Sequence, residues 1–119
     1  MTELTYDTFA RHLRTDVPGF DRVYDEHVVD YDEVLPHVLL GDLVRFLSDE
    51  VQQHGTGSAA LSPALALLER GMASPDPRLQ ELVAVSFLEN LDRDDPSFLP
   101  IRGLFGPHLE EQYTKHELA

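Results

Sequence analysis

Six histidines (His12, His27, His37, His54, His108 and His116) stand among 22 carboxylates in this chain of 119 residues. Imidazoles and carboxylates together bind metals and move protons, so they are the first residues to test for chemistry. No two of the histidines have the His-Glu-x-x-His spacing that sets both rings on one helix face, and no metal site is expected. His27 and His37 flank Asp30 and Asp32, a spacing that allows an imidazole–carboxylate cluster across a helix turn. The plainer alternative is a half-buried His27 and a solvated His37. Asp92-Arg93-Asp94-Asp95 opens like a calcium loop, but its sixth and twelfth places hold Ser97 and Gly103, where a Gly and a bidentate Glu are required. The adjacent acids Glu110-Glu111 and Asp49-Glu50 diverge by roughly 100° on a helix and do not converge on one substrate.

Nucleophiles fare no better. Ser48, Ser58, Ser62, Ser74, Ser86 and Ser97 lie in no glycine-flanked elbow between strand and helix. Ser62 and Ser74 read as helix caps, and Ser86 as a small core residue. Gly55-Thr56-Gly57 has no following Lys and no strand before it, so it is not a phosphate loop. There is no cysteine, hence no disulfide, thiol nucleophile or thiolate metal site, in keeping with a reducing compartment. With no catalytic set, no metal ligands and no cofactor motif, the expectation is a binding protein and not an enzyme.

What the sequence does concentrate is negative charge. Residues 16–33 hold seven carboxylates and one Arg, a local charge of −6 within a total of −13. Asp21, Asp25, Glu26, Asp30, Asp32 and Glu33 alternate with Phe20, Val23, Tyr24, Val28, Val29 and Tyr31, so this is a folded acidic face rather than a solvated tail. Such a face attracts a basic partner at long range and costs stability through self-repulsion. Tyr31 adds a large, low-entropy anchor of the kind enriched at interface hot spots, or else is a core residue at a turn. The candidate partner-binding residues are therefore Asp21, Asp25, Glu26, Asp30, Tyr31, Asp32 and Glu33. The other reading of the same charge is solubility alone. The nine cationic residues are scattered singly, with no basic patch for phosphates, which argues against direct nucleic-acid binding.

The elements that must carry this face are helical. Tyr6, Phe9, Ala10, Leu13 and Val17 follow the i, i+3, i+4, i+7 rule, with Thr5 as N-cap and Pro18-Gly19 as the stop. A second helix over 20–29 turns Phe20, Val23, Tyr24, His27 and Val28 inward and Asp21, Asp25, Glu26 and Asp30 outward. Pro36 begins a third helix that runs to Gln53 and stops at Gly55, buried through Leu39, Leu43, Phe46, Leu47 and Val51. Gly41 within it implies a close helix crossing or a local break. Residues 54–58 read as a flexible connection inside one domain. Ser62-Pro63 opens a fourth helix closed by Gly71 and Pro75; Asp76-Pro77 opens a fifth, carried to Leu91 and expected to be the most buried; Gly106-Pro107 starts the last.

The fold class that follows is all-α, a single compact domain over residues 1–119 with about five or six helices packed as antiparallel hairpins. No run of about 18 apolar residues and no basic start followed by an apolar stretch is present, so neither a membrane span nor a secretory signal is expected, and the default location is cytoplasmic.

The segments Leu35-Pro36-His37-Val38-Leu39-Leu40-Gly41-Asp42-Leu43 and Val83-Ala84-Val85-Ser86-Phe87-Leu88-Glu89-Asn90-Leu91 resemble those of a family of small bacterial helical domains of unassigned function, similar in size to immunity proteins of polymorphic toxin systems. The resemblance covers the middle two-thirds of the chain, carries over no catalytic residues and does not reach residues 16–33. It implies a cytoplasmic antidote that binds a cognate toxin domain. Joined to the charge pattern, it gives the expected function: an immunity-like protein whose acidic helical face meets a basic toxin domain, with a nuclease the first choice because nucleases hold phosphates with Lys and Arg. Two other classes stay open, an adaptor that uses an apolar groove between helices and an enzyme, which would need a pocket.

Overall fold

The computed structural model describes residues 4–118, with side chains through residue 115; residues 1–3 and 119 and the side chain of His116 lie outside the described residues. Among the described residues seven helices follow one another: α1 (Tyr6–Asp16), α2 (Phe20–Tyr31), α3 (Pro36–His54), α4 (Leu61–Ala73), α5 (Pro77–Ser86), α6 (Phe98–Arg102) and α7 (Pro107–Leu118). Single 3₁₀ turns occupy Gly55–Gly57 and Leu88–Asn90, and there is no strand among the described residues. The count exceeds the expected five or six because the stretch punctuated by Pro96, Pro100 and Gly103 folds a five-residue helix, α6, around buried Phe98 and Ile101.

Local chemistry sets the boundaries. Thr5 precedes α1 in extended conformation, and its N–H donates to Thr8 Oγ1 at 3.1 Å. Gly19 lies at φ +86°, a left-handed turn that a side chain would strain, and it swings the chain straight from α1 into α2. Asp32 ends α2, also left-handed at φ 60°, with its N–H donating to Val28 O at 2.8 Å. Pro36 occupies the first turn of α3, where its missing N–H leaves no bond unmade, and Gly55 closes that helix.

One core of buried residues runs through all the longer helices, with Phe9, Leu13, Phe20, Leu43, Leu68 and Phe87 fully enclosed. Helix α4 packs on α1, α5 and α7, while α3 packs on α2 and α5. The most buried helix is therefore not the expected one. α4 encloses Leu61, Ala64, Leu65, Leu67, Leu68 and Gly71, whereas α5 leaves Val85 exposed and stops at Ser86, after which the chain turns through Phe87 and the 3₁₀ turn to Leu91. Gly71 does not close α4 but lies inside it, because a Cβ there would sit 3.2 Å from Phe9 and 3.3 Å from Val83. Gly41 marks neither a break nor a tight crossing: α3 is continuous through it, and a Cβ would meet only Arg45 and Asn90 at 3.9 and 4.0 Å.

Candidate acidic interface on the second helix

Helix α2 keeps to the surface through one stripe. Phe20 and His27 are buried and Val23, Tyr24 and Val28 half-buried, which leaves the other side of the helix to solvent. Phe20 anchors it edge-on against Phe46 of α3, ring centroids 5.5 Å apart. The i, i+4 spacing then places Asp21, Asp25, Glu26 and Asp30 outward, all exposed, together with Arg22 and Val29 along one shallow face. Val29 is 82% exposed, an apolar residue set among carboxylates with nothing covering it.

The acids on this face are not equivalent. Asp25 forms a two-pronged pair with Arg14 of α1, Nε to Oδ1 at 2.9 Å and Nη2 to Oδ2 at 3.0 Å. That guanidinium, first by its hydrogen bond and then by its charge, holds the Asp25 carboxyl below the usual carboxylate range. Among the described residues the side chains of Glu26 and Asp30 make no hydrogen bond or ion pair, so their charge is unspent. On the α3 side of the same helix, Glu26, Asp30 and Tyr31 border a groove of about 650 Å³ whose opposite wall is Asp42, Arg45 and Asp49. This second acidic wall did not emerge from the sequence, where Asp42 and Asp49 carry no signal beyond a surface helix position.

The seven candidate residues are thus divided. Asp21, Asp25, Glu26 and Asp30 share the outer face, and Glu26, Asp30 and Tyr31 share the groove. Asp32 caps α2, and Glu33 turns toward α1, lining a separate hollow with Tyr6, Asp7 and Ala10. Tyr31 is 47% exposed, its ring 4.8 Å from the ring of His27.

The histidines do not assemble with Asp30 and Asp32. His27 is buried, its Nε2 accepting the N–H of Leu35 at 2.9 Å and its Nδ1 facing Asp42 Oδ2 at 3.4 Å. His37 is exposed but not merely solvated, since its Nδ1 lies 2.5 Å from Oγ of buried Ser86 and ties the start of α3 to the end of α5. This places a nucleophile type against a base type, yet neither residue borders the grooves beside α2. Among the described residues no three His, Asp or Glu side chains are grouped to hold a metal ion, and no helix is long and apolar enough to cross a membrane. What the face can do chemically is accept: carboxylates receive hydrogen bonds from guanidinium and ammonium groups, two at a time in the case of Arg.

Compared with known families, residues 10–118 match the family described as Domain of unknown function (DUF7674). No curated protein and no solved structure matches the chain.

Proposed function

We propose for this chain, which belongs to the DUF7674 family, that it is a binding protein whose α2 face receives a basic protein partner, as an immunity protein receives its toxin. The observation that carries the reading is the unpaired charge of Glu26 and Asp30 on the same face as the bare Val29 side chain. An interface combines an apolar anchor, here Val29, with polar neighbours that set register and rate. Within this reading the partner is a toxin domain of the nuclease kind, because a helical row of carboxylates imitates the spaced charges of a phosphate backbone and competes for the same Arg and Lys side chains. The small all-helical frame, with its acids in a row on one helix, suits inhibition by occupation of a surface.

The adaptor reading draws on a different place, a cleft of about 390 Å³ between α3 and residues 90–101, with Val44, Leu91, Phe98 and Ile101 among its lining residues. Binding there would depend little on salt.

The test is capture from native lysate along a salt gradient with two tagged proteins, the wild type and D21K/E26K/D30K. A basic polypeptide held near equal stoichiometry by the wild type, released only at high salt and missing from the variant supports the reading. Identical elution profiles for the two proteins overturn it. Asp25 and Asp32 are left unchanged, since reversing the first breaks the Arg14 pair and replacing the second disturbs a left-handed cap.

A further inference from the structure

The ring of His27 lies at the joint between α2 and α3 with both nitrogens engaged. Because Leu35 donates its N–H to Nε2, that nitrogen carries a lone pair, and the single proton of the neutral ring is on Nδ1, directed at Asp42. Leu35 is the N-cap of α3, so this one bond fastens the start of α3 to the last turns of α2 and closes the connection through Asp32, Glu33 and Val34.

We propose that His27 is a protonation-sensitive latch on this connection: a second proton turns Nε2 from acceptor into donor, expels the Leu35 N–H, and releases the chain from Tyr31 to Leu35. Charged groups stand around the ring on both helices. Asp42 faces Nδ1 and is itself paired with Arg45; Asp49 borders the same groove from α3, and Arg22, Glu26 and Asp30 border it from α2. α1 meets α2 through Arg14 and Asp25, at the turn before His27. A second proton on the ring conflicts first with the Leu35 N–H, which lies 2.9 Å from Nε2. Asp32, at the start of the connection, lies at φ 60° in the left-handed region. The Tyr31 ring rests on the imidazole and follows it. Tyr31 borders the groove beside the candidate partner face, so control of binding by this latch rests on the reading above, while the latch itself does not.

The experiment uses the free protein, so its outcome is independent of any partner. Ring ¹⁵N shifts of His27 and protection factors of the Leu35 and Leu43 amides are followed by NMR from pH 8 to pH 5. The expected result is an Nδ1–H tautomer at high pH, then a tenfold or larger fall in Leu35 protection as the ring gains its second proton, with Leu43 in the core of α3 unchanged. An Nε2–H tautomer, or Leu35 protection that is the same in both charge states, overturns the proposal. In H27Q the amide oxygen can accept the Leu35 N–H but cannot titrate, so Leu35 protection should no longer vary with pH. If it varies as in the wild type, the proposal is also overturned; should H27Q not fold, the wild-type tautomer and protection data decide alone.

Discussion

The carboxylate of Asp76 accepts the backbone N–H of Tyr6 at 2.8 Å and so joins the first turns of two helices that lie 70 residues apart in the chain. The same side chain caps its own helix, α5, by accepting the N–H of Arg78 at 3.0 Å. One carboxylate therefore satisfies free N–H groups at both helix starts, each of which carries partial positive charge. Beside it, Ser74 Oγ donates to Leu4 O at 2.7 Å.

The Tyr6 N–H, ahead of the Arg78 contacts, holds the Asp76 carboxyl below the usual range for an aspartate. A depressed carboxylate contributes stability that is complete above its unfolded value and is lost as pH falls through the folded one. Asp76→Asn should accordingly lower Tm by several degrees near neutral pH, and the gap from wild type should begin to narrow below the unfolded value of about 3.9 and close toward the lower folded one, where the wild-type carboxylate is itself neutralised. Thermal melts of both proteins from pH 7 to pH 3 check this; a gap that does not change with pH would show that the charge is not what binds the two helices.

Glu69 does the corresponding work for α7. Its two oxygens accept the N–H groups of His108 at 2.8 Å and Leu109 at 2.9 Å, and Oε2 also meets His108 Nδ1 at 2.6 Å. Burial would raise this carboxyl, yet the Leu109 and His108 donors together hold it below its ordinary value. Glu69→Gln presents an N–H₂ group to one of those donors and should cost about 1–3 kcal/mol. Gly106→Ala should weaken the same cap from the other side, since its Cβ would fall 2.5 Å from Glu69 Cδ. Urea unfolding of the two single variants and the double variant checks the coupling. The double variant should lose clearly less than the sum of the two, because both changes remove one contact.

These long-range caps also show where reading the sequence stops. The apolar period placed α1 to α5, and Pro18-Gly19, Pro36, Gly55 and Asp76-Pro77 fell at real boundaries, because those signals are local and act within a turn of where they are written. Asp76 announced a cap for α5 but not its reach to Tyr6; Glu69 announced nothing and His27 only its inward face, since their partners are brought to them only by packing. The break after Ser86 was hidden as well. Phe87 and Leu88 continue the apolar pattern, and the stop comes from Asn90, whose side chain donates to Ser86 O at 2.8 Å. The outward row on α2 was legible because i, i+4 spacing alone determines it. The facing row of Asp42 and Asp49 was not, because it depends on how α3 is rotated against α2.

Gly41 is a position where the chain can be improved. It lies inside α3 with room for a methyl group, so Gly41→Ala should stabilise the protein by about 0.5–1 kcal/mol through helix propensity and a less mobile unfolded chain. An increase in the urea midpoint with an unchanged slope is the expected result. A loss of stability would mean that Arg45 or Asn90 needs the space.

The acidic face offers a prediction that separates use from solubility. Asp30 lies in the last turn of α2, which holds no basic residue, so its charge opposes the helix dipole as well as its neighbours. Asp30→Lys should raise stability by about 0.5–1 kcal/mol at low ionic strength, with most of the gain lost in high salt, where exposed charges no longer sense one another. Melts of wild type and variant at low and high salt measure this directly. A partner that uses the face should at the same time associate with the variant more slowly, because the change removes attraction from the encounter. Greater stability with slower association would mean that the unfavourable charge at Asp30 is kept for binding. Greater stability with unaltered association would make it a matter of solubility, and no salt-sensitive gain at all would show that the charges on α2 do not repel one another in the folded chain.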